Sequence, residues 1–75
     1  MSEVECHLEF TYSSEETAKK ILQAVDLENY PYVKAKLEGN TLISVATAES
    51  LDSLIHTLED YLSCISVAEK MLGEG

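Results

Sequence analysis

The sequence predicts an α+β fold in the order β-α-β-β-α, with a three-stranded antiparallel sheet and two helices packed on one of its faces. Three observations predict this fold. Residues 3–12 alternate strictly between polar and apolar side chains, which is typical of a half-buried strand. Gly39 and Asn40 form a turn signal between two further alternating runs. Apolar residues recur at helical spacing at about 14–25 and again at 49–72.

The first strand and the helix after it have separate signals. One face of the strand is apolar and is formed by Val4, Cys6, Leu8, Phe10 and Tyr12. The other face is polar and is formed by Glu3, Glu5, His7, Glu9 and Thr11. Ser13 and Glu16 then have the spacing of a capping box, and early carboxylates suit the positive end of a helix dipole. We therefore expect a helix at about 14–25.

The second and third strands form a hairpin. Residues 26–31 connect it to the first helix, and residues 32–38 alternate as the second strand. The inner face of the third strand is formed by Leu42, Ser44, Ala46 and Ala48. A two-residue turn pairs Ile43 with Lys36 and Val45 with Lys34, so that Ile43 and Val45 point away from the core. Their exposure is either incidental, which is common, or marks a second contact surface.

The long helix at 49–72 has more apolar surface than a helix lying on one sheet normally hides. A first stripe consists of Leu51, Ile55, Leu58, Leu62, Ile65 and Leu72. A second stripe consists of Leu54, Tyr61, Cys64, Ala68 and Met71. We expect the first stripe to pack on the sheet and the second to lie partly under the short first helix. Tyr61, Cys64 and Met71 extend beyond that cover, which favours an interface with another protein.

Composition limits the function classes. The chain has 75 residues, so we expect one domain over residues 1–75. It has 14 Asp and Glu against 5 Lys and no Arg, for a formal net charge of −9. This charge argues against direct nucleic-acid binding and against an anionic membrane as partner, since both attract Lys and Arg. No apolar signal-peptide core or membrane-length run is visible, so we expect a cytoplasmic protein with free thiols.

Neither catalytic nor metal-binding chemistry is predicted. His7 and His56 each have one carboxylate nearby in sequence, whereas zinc sites need three or four ligands. Cys6 and Cys64 lie among apolar positions and are interpreted as small hydrophobic residues rather than nucleophiles. We expect no enzyme activity, no cofactor and no metal.

The overall pattern resembles the LAGE/Pcc-type small subunit family of the KEOPS (EKC) complex. The resemblance rests on Ser13-Ser14-Glu15-Glu16 after the first strand, the Glu38-Gly39-Asn40 hairpin, and residues 48–54 and 67–72 of the long helix. It implies a non-catalytic subunit that forms dimers and docks by its helices onto a transferase subunit. That complex places threonylcarbamoyl groups on adenosine next to the anticodon of tRNA.

The chain departs from the family pattern on the long helix. The family has Arg where this chain has Ile55 and Ser63, and Asn-Ser where it has Glu59-Asp60. An outward acidic residue of the family's third strand is matched by Val45. The chain is therefore similar to an acidic paralogue, of the kind reported in archaeal complexes, that pairs with the standard small subunit.

The expected partner is thus the standard small subunit, in a heterodimer that reaches the transferase and kinase subunits indirectly. The predicted interface residues are Ile43, Val45, Leu54, Tyr61, Cys64 and Met71. Two alternatives remain open at this point. The chain is the standard small subunit itself, acting as a homodimer that docks the transferase, or it is a standalone domain that binds a small ligand.

Overall fold

The computed structural model describes residues 3–28 and 30–73 and confirms the predicted fold. Its elements are β1 (Val4–Thr11), α1 (Glu15–Leu27), β2 (Val33–Glu38), β3 (Thr41–Ala48) and α2 (Leu51–Met71). The strands form an antiparallel sheet in the order β1-β3-β2, with both helices on one face. Because β3 is central, it contributes to both strand pairs.

The β2–β3 hairpin has the predicted register. Lys36 pairs with Ile43 and Lys34 pairs with Val45. Gly39 at the turn has φ of 61°, a left-handed conformation that glycine adopts without steric cost. The two-residue turn and the alternation of the strands therefore specify the same pairing.

The hairpin turn is also hydrogen-bonded to the residue that follows β1. The side-chain amide Nδ2 of Asn40 donates a hydrogen bond to the Tyr12 carbonyl oxygen at 2.6 Å. The Tyr12 backbone N–H donates in turn to the Asn40 carbonyl oxygen at 3.0 Å. This exchange extends the β1–β3 register, in which Thr11 pairs with Thr41, past the end of the strand.

Helix α1 begins one residue later than the capping-box spacing predicts. Ser14, rather than Ser13, is the N-cap, and its Oγ accepts a hydrogen bond from the Thr17 backbone N–H at 3.1 Å. The helix then continues to Leu27, two residues beyond the predicted end. Its buried face consists of Ala18, Ile21 and Val25.

Helix α2 is rotated relative to the sequence-based expectation. The first stripe was expected to pack on the sheet, but Leu51, Ile55 and Leu62 of that stripe are exposed. The buried residues of α2 are Leu54, Tyr61, Ile65 and Ala68, which come mainly from the second stripe. The physical reason is the inward-facing hydroxyl of Ser44, which is fully buried and needs a hydrogen-bond partner.

Tyr61 provides that partner. Its hydroxyl lies 2.6 Å from Ser44 Oγ, and the bond is buried between α2 and the sheet. The first stripe has no polar group that could reach Ser44, so turning it inward would leave a buried hydroxyl unpaired. The main core cluster around this bond consists of Tyr12, Ala18, Ile21, Val25, Leu42, Tyr61, Ile65 and Ala68.

Candidate protein interface

The outer face of the sheet consists of three rows of side chains, one from each strand, which differ in charge and polarity. Ile43 and Val45 of β3 lie at its centre and are half-buried. On the β1 side, Glu9 pairs with Ile43, His7 pairs with Val45, and Glu5 extends the same row. On the β2 side the paired residues are Lys36 and Lys34. An acidic row, an apolar row and a basic row therefore lie side by side.

The side chains of the acidic and basic rows are exposed to solvent. His7 Nε2 lies 2.7 Å from Glu5 Oε1, and Lys36 Nζ lies 3.4 Å from Glu38 Oε2. All four side chains are more than half exposed, and pairs of this kind contribute little to stability. The Glu5 and Glu38 carboxylates and the Lys36 ammonium group are therefore accessible to a partner protein.

One flank of α2 is an exposed apolar surface. Leu51, Ile55 and Leu62, which we call the α2 apolar flank, are 62%, 49% and 42% exposed. Glu69 lies on the same side of the helix, since it is about five turns beyond Leu51. Glu69 Oε2 accepts a hydrogen bond from the Tyr12 hydroxyl at 2.8 Å. Because Tyr12 follows β1, this bond places the α2 apolar flank on the β1 side of the molecule.

The opposite side of α2 forms a groove with the end of α1. The groove has a volume of about 600 Å³ and is lined by Ala24, Glu28, Tyr30, Asp60, Ser63, Cys64, Val67, Ala68 and Met71. The Tyr30 hydroxyl donates to the Asp60 backbone carbonyl at 3.2 Å. The Tyr30 ring meets the Tyr61 ring edge-on, with ring centroids 5.4 Å apart. Tyr30 thus links the α1–β2 connection to α2.

Two side chains of this groove, Cys64 and Tyr30, have raised pKa values. Burial raises the pKa of the Cys64 thiol above 9.0, and the nearby Glu28 carboxylate raises it further. Burial also raises the pKa of the Tyr30 hydroxyl, as do the neighbouring Cys64, Glu28 and Asp60 side chains. The Cys64 thiol therefore stays protonated near neutral pH, whereas a nucleophilic cysteine needs its thiolate.

The six predicted interface residues do not lie on one common surface. Leu54 and Tyr61 are only 5% and 1% exposed, so the expectation that they lie on a surface is wrong. They are buried because α2 turns its second stripe toward Ser44. Ile43, Val45 and Cys64 are half-buried, and Met71 is 82% exposed. These four lie on two different surfaces, the outer sheet face and the groove, and their contact with a partner stays a prediction.

Sequence reasoning missed the α2 apolar flank. A signal for it was present in the inner face of β3. Ser44 alternates with apolar inner residues, so its hydroxyl was expected to face the helices. Tyr61 carries the only hydroxyl in either apolar stripe, and it belongs to the second. Pairing these two hydroxyls would have turned the second stripe inward and exposed Leu51, Ile55 and Leu62.

The described residues show no metal centre and no membrane span. In residues 3–28 and 30–73, no group of three or more His, Cys, Asp or Glu side chains is placed to hold a metal ion. Both cysteines, Cys6 and Cys64, are free. Neither helix, over the part of the chain that the structure describes, combines the length and apolar character needed to cross a bilayer.

Comparison with known proteins identifies the family. The family model described as "Transcription factor Pcc1" matches residues 5–73. No curated protein matches the chain. The matched range contains every strand and helix except the first residue of β1. The chain therefore belongs to the Pcc1 family, which is the family of the KEOPS small subunit.

Proposed function

We propose that this protein is a non-catalytic accessory subunit of the KEOPS complex for threonylcarbamoyladenosine modification of tRNA. In this role it works in the cytoplasm and pairs with the standard small subunit of the complex. It caps that subunit, so that only one transferase binds, and it stabilises the assembly. Membership of the Pcc1 family supports a place among the KEOPS small subunits.

The observation that carries the accessory role is the exposed surface of α2. Ile55, Glu59, Asp60 and Ser63 are all exposed. These are the positions at which the resembled family has basic and polar residues. Here they present acidic and apolar groups to the solvent. An acidic helix surface repels phosphates and favours a protein partner over direct contact with tRNA.

The outer sheet face supports pairing with another protein. Its central Ile43 and Val45 are apolar and only partly covered by the charged rows beside them. An apolar centre with a charged rim is the usual anatomy of a protein interface. We therefore assign the contact with the standard small subunit to this face.

Native mass spectrometry of the protein alone, the standard small subunit alone and their mixture tests this proposal. We expect a one-to-one heterodimer in the mixture. Val45→Asp should weaken that heterodimer by about tenfold or more, because it places a carboxylate in the apolar centre.

Leu27→Asp is the control, because Leu27 is an apolar residue, 86% exposed at the end of α1, outside both the sheet face and the groove that contains Cys64 and Met71. It should leave the heterodimer intact. Both variants should remain folded, which circular dichroism checks, with a lower melting temperature for Val45→Asp because Val45 is half-buried in the central strand. A tight homodimer that ignores the standard subunit would disprove the accessory role.

A second candidate function is favoured by the α2 apolar flank. If the protein is the standard small subunit itself, its helices dock the transferase, and Leu51, Ile55 and Leu62 offer an apolar surface for this. Capture of the transferase by this protein alone would then be expected. Leu51→Asp combined with Leu62→Asp should abolish that capture, whereas Val67→Asp should preserve it. Absence of capture excludes this function.

A further inference from the structure

The three rows of the outer sheet face have opposite charges on the two sides of β3. The acidic row of β1 lies on one side of β3, and the basic row of β2 lies on the other. Glu9 and Lys36 both pair with Ile43, so they lie at the same level on opposite sides of it. Neither helix covers this face, because both pack on the other face of the sheet. The face is therefore acidic on one side, basic on the other and apolar at its centre.

This order of rows makes the face complementary to itself. Rotation about a two-fold axis parallel to β3 exchanges the two sides of the sheet and keeps the direction of the strands. A second copy placed face to face in this way has its acidic row over the basic row and its apolar row over the apolar row. A two-fold axis perpendicular to the strands would instead place the two acidic rows over each other. Because like charges repel, charge selects the first arrangement.

We propose that this chain pairs weakly with a second copy of itself through the outer sheet face, with a two-fold axis that runs along β3. Glu9 of each copy then lies opposite Lys36 of the other, which gives two opposite-charge contacts in each pair. Ile43 and Val45 of each copy meet the same residues of the other at the centre. Two sheets packed face to face with nearly aligned strands form a sandwich, which is a common arrangement of sheets.

The size and charge of the face limit the strength of this association. Three strands of six to eight residues present a face of roughly 15 Å by 25 Å. Two such faces bury on the order of 800 Å² together, whereas stable complexes bury about 1,200 Å² or more. At the level of Val45, His7 lies opposite Lys34 and adds no opposite-charge contact. The formal net charge of −9 on each copy also opposes association. We therefore expect a reversible association in the high micromolar range.

The self-pairing covers the apolar row when the standard small subunit is absent. The proposed heterodimer uses the same face, so the standard subunit should displace the second copy. The self-pairing does not depend on the proposed function, because it follows from the charges and the strand register of this chain alone.

Sedimentation equilibrium of the protein alone, over concentrations up to the millimolar range, tests the proposal. We expect a reversible step that doubles the mass of the species present at low concentration. Glu9→Lys places a lysine opposite Lys36 in both contacts, and Lys36→Glu places a glutamate opposite Glu9. Each variant alone should therefore weaken this step by about tenfold or more. Both positions are exposed, so both variants should fold, which circular dichroism checks.

An equimolar mixture of these two variants tests the two-fold arrangement. In the mixed pair, each of the two contacts again joins a lysine and a glutamate. The mixture should therefore regain the affinity of the parent protein within about threefold. The matched controls are Glu59→Lys and Lys19→Glu, which make the same changes of charge at exposed positions on the helices. Each control variant alone should keep the step.

Three results would overturn the proposal. A mass that stays constant over the whole concentration series would show that no such pair forms. A step that survives in both Glu9→Lys and Lys36→Glu would place the contact on another surface. Two variants that do not associate alone and do not associate when mixed would exclude the two-fold arrangement. These measurements use no KEOPS subunit, so their outcome and that of native mass spectrometry with the standard subunit are independent of each other.

Discussion

At the scale of single residues, the buried pair Ser44 and Tyr61 determines how α2 lies on the sheet. Both side chains are almost completely buried, and their hydroxyl oxygens are 2.6 Å apart. A buried hydroxyl without a partner costs about 1–3 kcal/mol. The pair therefore disfavours any rotation of α2 that separates the two groups.

A double-mutant cycle measures this coupling. Tyr61→Phe leaves Ser44 unpaired, and Ser44→Ala leaves Tyr61 unpaired, so each should lower the free energy of unfolding by about 1–3 kcal/mol. The double variant should lose less than the sum of the two, because neither hydroxyl then remains to be satisfied. Urea unfolding followed by circular dichroism gives the three values. Strict additivity would show that the hydroxyls do not interact.

Burial of Tyr61 also predicts a loss of stability at alkaline pH. Burial raises the pKa of its hydroxyl above the ordinary value of 10.0 in the folded protein. The unfolded chain therefore releases this proton at lower pH than the folded protein does. The stability linked to Tyr61 is fully present below pH 10 and is lost as the pH rises through the raised pKa.

Comparison of the parent protein with Tyr61→Phe isolates this contribution. The free energy of unfolding of the parent should fall more steeply above about pH 10 than that of the variant. Cys64, whose pKa burial also raises, adds a fall in the same direction to both proteins. Unfolding in urea at a series of pH values provides the measurement. Parallel pH profiles would contradict a role for Tyr61.

At the scale of elements, α2 has apolar residues on two adjacent stripes but buries mainly one. Leu54 is turned into the protein, whereas Leu51, a turn earlier, is largely exposed. Tyr61 and Ile65 continue the buried side, and Leu62 continues the exposed side. An apolar helix surface that the fold leaves exposed to solvent is a candidate contact surface for another protein.

Alanine substitutions test which of the two stripes of α2 is buried. Leu54→Ala should lower the free energy of unfolding by about 2–5 kcal/mol, because it removes buried contacts and leaves a cavity. Leu51→Ala should change it by less than about 0.5 kcal/mol, since the side chain is mostly in water. The two substitutions are chemically identical, so each controls for the other. Equal losses would mean that α2 is rotated differently from the structure.

At the scale of the whole molecule, an excess of negative charge opposes the compact state. The chain carries 14 acidic residues against 5 lysines. Two of those lysines, Lys34 and Lys36, lie together on the outer sheet face, beside Ile43 and Val45 and across from the acidic row of β1. The remaining surface is therefore more acidic than the average of the chain.

Salt should stabilise the isolated protein. The screening length falls from about 30 Å at 0.01 M to about 8 Å at 0.15 M ionic strength, which weakens repulsion among the carboxylates. We expect the melting temperature to rise by roughly 2–4 °C over this range of sodium chloride. Glu59→Lys, which reduces the negative charge at an exposed site, should show a smaller rise. A melting temperature that is unchanged or lower in salt would contradict this expectation.

The sequence by itself determined the type and order of the elements and the register of the hairpin. Periods of two and of about 3.6 residues distinguish strands from helices, and the Gly39-Asn40 turn leaves one pairing between β2 and β3. It also determined that Ile43 and Val45 face away from the helices. All of these follow from local geometry, in which each residue acts through near neighbours in the chain.

Only the tertiary structure decided which stripe of α2 is buried and which edge of the sheet is open. Two adjacent stripes on one helix are locally equivalent, and the choice between them depends on the distant hydroxyl of Ser44. The order β1-β3-β2 depends likewise on contacts far apart in sequence, such as those between Asn40 and Tyr12. For this reason Leu54 and Tyr61 were expected at the surface, and the exposure of Leu51, Ile55 and Leu62 became visible only in the assembled structure.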